Sequence, residues 1–327
     1  MIEIDVLIAK VLVLLLLMIP GFVFSKLGFI PEKFGKGLAN IILYVAQPAL
    51  MIVAYNCDFD MEILIRAGFV FLFSVLAHTL YTVVALFFYR RAPETVKSVL
   101  QFAMIFTNAA YMGIPLIESL FAETDPNVGI YASIYCLVFN IFCWSVGSYV
   151  YSRDKKYISL RKAFLNPVVV ACAFGLLLFF TPLNRWLDGN VGGEVSVLIA
   201  SIVKDTMVGL KSLIAPLSMF LIGMRLAEIK WKGILKDRYL YPYLAIRMLI
   251  LPALTFCLVK LFALIGFYND ATATTVLLLS SAAPAATATG MFAELFDGNS
   301  VYAGKLVAVS TLLSVVTMPI VALLLFI

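Results

Sequence analysis

The sequence predicts an all-α polytopic membrane protein, with ten transmembrane helices arranged as two inverted five-helix repeats. Three observations lead there. Of 327 residues, 63% are hydrophobic and only 13% charged, with a mean hydropathy of +1.03; soluble domains carry about 25% charged residues. The charge is bunched between apolar runs of about 20 residues, enough to cross a bilayer. The runs also fall into two sets of five that carry matching interruptions.

Spans are expected at residues 5–25, 37–55, 62–88, 95–121, 128–151, 167–182, 192–227, 239–265, 271–294 and 300–326. The first, from Asp5 to Phe24, reads as a span and not a cleaved leader: Glu3 and Asp5 stand where a basic flank is needed, and the apolar run is too long. The second carries Ala46-Gln47-Pro48-Ala49-Leu50-Met51, and the seventh carries the related Ala215-Pro216-Leu217-Ser218-Met219. The seventh is too long for one crossing, so Val191 to Val208 is expected at the interface, with the crossing starting at Gly209. The fourth and ninth hold the interruptions. Five spans per half is an odd number, so the halves must insert with opposite orientation, the architecture that underlies alternating access. This gives a first repeat over 1–152, a short cytoplasmic linker over 153–165 and a second repeat over 166–327.

Orientation follows from the basic residues. Loops after the odd-numbered spans hold Lys26, Lys33, Lys36; Arg90, Arg91, Lys97; Arg153, Lys155, Lys156, Arg161, Lys162; Arg225, Lys230, Lys232, Lys236, Arg238; and Lys305, which is 17 of the 24 Lys and Arg. The alternate loops hold Asp58, Asp60, Glu62, Glu123, Asp125, Asp188, Glu194 and Asp270, with Arg66 and Arg185 as exceptions. Both termini are therefore expected on the extracytoplasmic side of a cell membrane. A net charge of +5 distributed this way indicates loop bias and not nucleic-acid binding. The five cysteines show no metal spacing and read as small packing residues; no cofactor or metal is expected.

The interruptions carry the functional expectation. One reads Phe106-Thr107-Asn108-Ala109-Ala110-Tyr111-Met112-Gly113-Ile114-Pro115; the other runs Ser280-Ser281-Ala282-Ala283-Pro284-Ala285-Ala286-Thr287-Ala288-Thr289-Gly290. Proline removes a donor and clashes with the preceding turn, so both helices should break mid-membrane. Such breaks survive only where protein or a wet cavity satisfies the freed backbone. Paired in the two halves, they point to a transporter's substrate site; the bland alternative is that Pro and Gly are common in membrane helices. Pro115 suits the first position of a helix, so an outer half-helix is expected to begin near Gly113 to Pro115. A second is expected near Thr289-Gly290. Each amino terminus offers roughly +0.5 charge and free N–H groups, suited to a carboxylate. The candidate substrate-binding residues are Thr107, Asn108, Gly113, Pro115, Pro284, Thr287, Thr289 and Gly290. For their side chains the competing role is capping of the breaks.

Ionisable residues within spans are functional candidates by default. Arg247 is a candidate to offset substrate charge or to pair internally. His78 is a candidate proton carrier, against a packed neutral ring. Glu118 is either a coupling carboxylate or an interfacial residue. Lys10 either snorkels or meets a partner chain. Lys204, Asp205 and Lys211 are expected to form surface pairs.

The stretch Asn108-x-x-x-Met112-Gly113-Ile114-Pro115-Leu116 resembles the fourth-helix motif of the auxin efflux carrier family, which includes the plant PIN-FORMED transporters and bacterial relatives. Tyr44-Val45-Ala46-Gln47-Pro48-Ala49-Leu50, Asn166-Pro167, Ala215-Pro216-Leu217 to Gly223 and Val316-Thr317-Met318-Pro319-Ile320 fit in order and spacing. The resemblance implies a fold similar to bile-acid symporters. Spans one, two, six and seven would form a scaffold that dimerises, and spans three to five and eight to ten a transport domain, with broken helices four and nine crossing at the substrate. The sequence departs from plant members in lacking a long central loop. It has Gly68 and Leu72 near the position of an Asp-x-x-x-Lys pair, and it places Pro284 early, with Thr289 near their crossing proline. The resemblance therefore implies a bacterial-type carrier of small organic anions, not auxin specifically.

The expected function is secondary transport of small organic anions, with the bilayer and a second copy of the chain as partners. The alternatives are an H⁺- or Na⁺-coupled carboxylate symporter and a membrane receptor using the same pocket; a channel is less consistent with paired inverted interruptions. An enzyme is not expected, since HExxH, G-x-S-x-G, a P-loop and paired intramembrane aspartates are all missing.

Overall fold

The computed structural model describes residues 4–31, 34–121, 124–154, 156, 160–229, 236–267 and 270–326. Of the charged residues used for topology, Glu3, Lys33, Glu123, Lys155, Lys230 and Lys232 lie outside the described residues. Its main helices are α1 (Asp5–Lys26), α2 (Phe34–Ala54), α3 (Met61–Phe88), α4 (Glu94–Ile105), α5 (Ala109–Phe121), α6 (Val128–Ser152), α7 (Pro167–Phe180), α8 (Glu194–Glu228), α9 (Leu240–Leu264), α10 (Ala271–Ala282), α11 (Ala288–Leu295) and α12 (Ser300–Phe326). The fold is all-helical among the described residues. Seven of these, α1, α2, α3, α6, α8, α9 and α12, are long and apolar enough to cross a membrane. The expected fourth and ninth spans are each two helices, α4 with α5 and α10 with α11. The expected sixth is the fourteen-residue α7.

Local sequence explains most boundaries. Asp60 starts α3 by accepting from Glu62 N at 2.7 Å, and Asp270 starts α10 by accepting from Ala273 N at 2.7 Å. Asn166 accepts from Val168 N at 2.9 Å with Pro167 in the first turn of α7. Three π-helical turns, Ile42–Ala46, Ala109–Gly113 and Ile246–Ile250, each end two residues before a proline: Pro48, Pro115 and Pro252. The missing proline N–H breaks the four-residue ladder, and the wider turn carries the helix past the gap. Gly209, where the crossing is expected to start, lies inside a continuous helix. Helix α8 continues through Gly209 to Ser212 and turns at Leu213, because Pro216 has no N–H for the Ser212 carbonyl.

The helices pack in reciprocal pairs. Helix α1 lies on α8 and α2 on α7; α4 touches α12 and α10 touches α6; α3 packs on α4 and α9 on α10; α5 packs on α6 and α11 on α12. The α1–α8 contact is a backbone-to-backbone approach. A Cβ at Gly21 would lie 2.1 Å from Phe220 O, and one at Gly223 would lie 2.0 Å from Met18 O. Only glycine permits that spacing, as small residues do at other membrane helix contacts.

Both exceptions in the charge pattern are neutralised by neighbours. Arg66 binds Glu62, Asp125 and Asp270 at 2.9, 3.1 and 2.8 Å. Arg185 meets Asp58 at 3.3 Å, and the Asn184 amide together with Arg185 holds the Asp58 carboxyl below its ordinary range.

A Gly223→Leu substitution is expected to unfold or strongly destabilise the protein, because neither backbone can retreat by more than 1 Å without repacking. Gly290→Ala, where nothing lies within 4 Å of the added methyl, should leave stability unchanged. Thermal unfolding in detergent followed by size-exclusion chromatography checks both.

Candidate functional site

The two interruptions meet. Helix α4 ends at Ile105, Phe106 is extended, and Thr107 forms an antiparallel bridge with Ala285. Asn108 N donates to Pro284 O at 2.7 Å, and Ala286 N donates to Phe106 O at 3.0 Å. The two bonds are related by a local two-fold through the Thr107–Ala285 pair. Each break thus satisfies the backbone that the other exposes, as the bilayer interior demands. Ser310 of α12 adds a third anchor by accepting from Ala285 N at 3.1 Å.

Proline places the breaks as expected at α10, and at α5 with a π turn added. Pro284 follows the end of α10, and Ala283 before it is extended at ψ 148°. Helix α11 starts at Ala288 with Thr287 as its first flanking residue, one residue from expectation. Helix α5 opens with a π turn from Ala109, and its regular α-helical part, Ile114–Phe121, starts at the expected place. The π turn over Ala109–Gly113 absorbs Pro115 inside the helix, and Met112 N and Gly113 N both donate to Asn108 O, at 3.1 and 3.2 Å. The Tyr111 carbonyl, which a residue at 115 with an N–H would have bonded, instead accepts from Ser218 Oγ of α8 at 3.1 Å.

The candidate side chains sort clearly. Thr107, Asn108 and Thr289 are 1%, 3% and 0% exposed, and Pro284 is buried. Neither Asn108 nor Thr287 caps its helix through its side chain. Asn108 Nδ2 and Thr289 Oγ1 have no hydrogen-bond partner among the described residues, whereas Thr107 Oγ1 faces the Tyr135 hydroxyl. Capping therefore does not account for them, and buried polar groups in this state call for another explanation. Thr287, Gly290 and Pro115 are partly exposed, and Gly113 lies on the α10 side, where an added Cβ would come 3.9 Å from Ser280 Cα.

The ionisable candidates divide. Arg247, on the π turn of α9, is fully buried and donates to Ser281 O and Ala283 O, both at 2.9 Å. These carbonyls close α10 immediately before the break, so the guanidinium caps the negative end of that helix. His78 is fully buried among the rings of Tyr81, Phe106, Tyr135, Phe139 and Phe142, with Nδ1 2.8 Å from Ser74 O. That contact makes Nδ1 the donor and leaves Nε2 an acceptor without a partner among the described residues. Glu118 stands apart from the breaks, ion-paired to Lys211 at 2.8 Å, and joins α5 to α8. Lys204 pairs with Asp188 at 2.6 Å.

Sequence reading missed three contributors. Ser310 lies on a buried stripe of Ser310, Ser314 and Thr317, whose four- and three-residue spacing marks a polar face on an otherwise apolar helix. Ser218 and Tyr135 gave no such signal. The first matters through the carbonyl that Pro115 frees. The second matters through a buried hydroxyl whose ring lies 5.1 Å from His78.

The family described as membrane transport protein matches residues 6–159 and 152–322. An uncharacterized transporter of Methanocaldococcus jannaschii is similar, 24% identical over 303 residues that make up 88% of each chain.

Ser310→Ala should cost about 1–3 kcal/mol of stability by leaving the Ala285 N–H buried and unpaired, whereas Thr311→Ala, whose hydroxyl bonds only Val307 O in its own helix, should cost less. Chemical unfolding of the two variants in the same detergent decides between them.

Proposed function

The chain belongs to the membrane transport protein family, the auxin-efflux-carrier type its motifs resemble, and on that premise we propose that it carries small organic anions as a secondary transporter by elevator-type alternating access. In this reading the ten expected spans form two inverted repeats over 1–152 and 166–327. Helices α1, α2, α7 and α8 are the scaffold and the remaining helices form the transport body. Exchanging the halves, so that span one maps on six and span four on nine, converts the α1–α8 contact into the α7–α2 contact and α4–α12 into α10–α6. That reciprocity supports the repeat, and the two-fold character of the Thr107–Ala285 bridge supports it at the centre.

The observation that carries the function is this bridge, beside two buried neutral donors without partners among the described residues, Asn108 Nδ2 and Thr289 Oγ1. The amino ends of α5 and α11 start at the same place and add positive partial charge. A carboxylate received there would take hydrogen bonds from Thr107, Asn108 and Thr289 and from helix-end N–H groups. Gly113, Pro115, Pro284, Thr287 and Gly290 shape the breaks. A membrane position with both termini outside accords with the basic loops and with the neutralisation of Arg66 and Arg185. Dimerisation through the scaffold follows from the family resemblance. Proton coupling has one observation in its favour, the unpartnered Nε2 of His78 beside Phe106.

Uptake of labelled mono- and dicarboxylates and indole-3-acetate into proteoliposomes, with imposed Na⁺, pH and voltage gradients, tests this. Saturable flux of one anion is expected. Asn108→Ala should lower apparent affinity about 10- to 100-fold, the worth of one hydrogen bond to a charged group of about 1.5–3 kcal/mol. Stability should hold, since Nδ2 bonds nothing among the described residues. Unchanged affinity would remove Asn108 from the site, and binding without flux would favour a receptor.

A further inference from the structure

Arg247 holds a full positive charge beside the breaks. The guanidinium stays protonated in any protein environment. It is fully buried, and among the described residues it is the only charged side chain that is; every described Asp and Glu is partly or fully exposed. Its contacts are the Ser281 and Ala283 carbonyls and, at 6.0 Å, the ring of Tyr81. Its Nε has no hydrogen-bond partner among the described residues.

Capping two carbonyls does not require a charge. A neutral amide can donate to the same oxygens without the heavy desolvation cost of an ion at membrane depth. The carboxyl ends of α10 and of α4, which both stop at the bridge, each offset roughly half a unit. The amino ends of α5 and α11, which start beside the same bridge, add positive partial charge back. The breaks are therefore left positive, by about one unit.

Resting on the transport reading above, we propose that Arg247 is the fixed counter-charge of the substrate and sets its charge at one. A bound monoanion makes the loaded site electroneutral, and the empty site carries one positive charge. Because the charge and the ligand sit at the same break, they sense the membrane field together. The loaded step is then indifferent to voltage, and the empty return step moves a charge. A dianion would leave the loaded site negative, and a neutral analogue would leave the positive charge unbalanced.

Voltage dependence of exchange against net flux tests this. The full-length protein is reconstituted in liposomes with labelled acetate, benzoate and indole-3-acetate as monoanions, succinate as dianion and benzamide as neutral analogue. Potentials of 0 and about −100 mV are set with potassium and valinomycin. A unit charge crossing the whole field shifts an equilibrium by up to about 50-fold at that potential. Exchange of the transported monoanion, saturating on both sides, should change less than about twofold, while its net flux changes several-fold. Arg247→Lys should keep this pattern. Arg247→Gln should invert it, making exchange voltage-dependent and the empty return insensitive. Voltage-dependent exchange in the unmodified protein overturns the proposal without any variant, so misfolding of Arg247→Gln does not shelter it. A folded Arg247→Gln protein with the unmodified pattern overturns it too. Saturable flux with voltage-dependent exchange removes only the charge balance. No flux of any probe removes the transport reading, and this inference falls with it.

Discussion

The constraint on which this structure turns is that a backbone broken inside a bilayer must find partners within the protein. Two helices are broken here, and each supplies the other's missing partner. Asn108 N meets Pro284 O, and Ala286 N meets Phe106 O. Neither break is stable without its counterpart, so α4, α5, α10 and α11 are bound into one unit by four atoms at its centre. Peripheral bonds extend the same logic: Ser310 takes up the Ala285 N–H, Ser218 the Tyr111 carbonyl and Arg247 the carbonyls that end α10.

This arrangement leaves polar side chains uncommitted as a by-product of its own repair. Backbone groups are consumed by the bridge and its anchors, while Asn108 Nδ2 and Thr289 Oγ1 are left over, buried and without a partner among the described residues, and Thr107 faces the buried Tyr135 hydroxyl. Neutral donors, helix amino ends and one buried guanidinium together make a locus that favours negative charge. No carboxylate among the described residues is buried there to oppose it. The surrounding aromatic shell, with Phe102 in contact with both Phe106 and Phe292, keeps the dielectric low and so makes each of those charges count for more.

The α1–α8 contact is of a different kind. Gly21 and Gly223 bring two backbones close enough that no side chain fits between them, which yields a stiff pair. Contacts within the bundle of α3–α6 and α9–α12 run instead through large side chains such as Phe73, Tyr81 and Tyr135. The Glu118–Lys211 and Tyr111–Ser218 contacts join α5 to α8, across the two sets of helices. Apolar packing runs across the same boundary, since Leu7, Leu50 and Ile222 share one core with Phe73, Leu116 and Leu306.

Much was legible in the sequence because bilayer and proline chemistry act locally. Apolar run length set where helices lie, and Asp60, Asn166 and Asp270 set where three of them start. Pro284 set the second break to within one residue. Local reasoning failed where the outcome depended on which ladder a proline would disturb. Pro115 does stand in the first turn of the regular α-helix, but a π turn over Ala109–Gly113 precedes it, and Ser218 from a distant helix takes up the Tyr111 carbonyl. Gly209 is expected to start the crossing, yet the helix runs on through it and turns at Leu213, ahead of Pro216. The roles of Arg247 and Glu118 were open in the sequence for the same reason. A charged side chain's role is fixed by what it reaches, and Ser281 lies 34 residues from one while Lys211 lies 93 residues from the other. The sequence by itself determined the helices and their breaks, through interactions spanning a few residues. Only the tertiary structure decided that the breaks satisfy each other and which polar side chains remain uncommitted, because hydrogen-bond satisfaction is a property of the whole packed bundle.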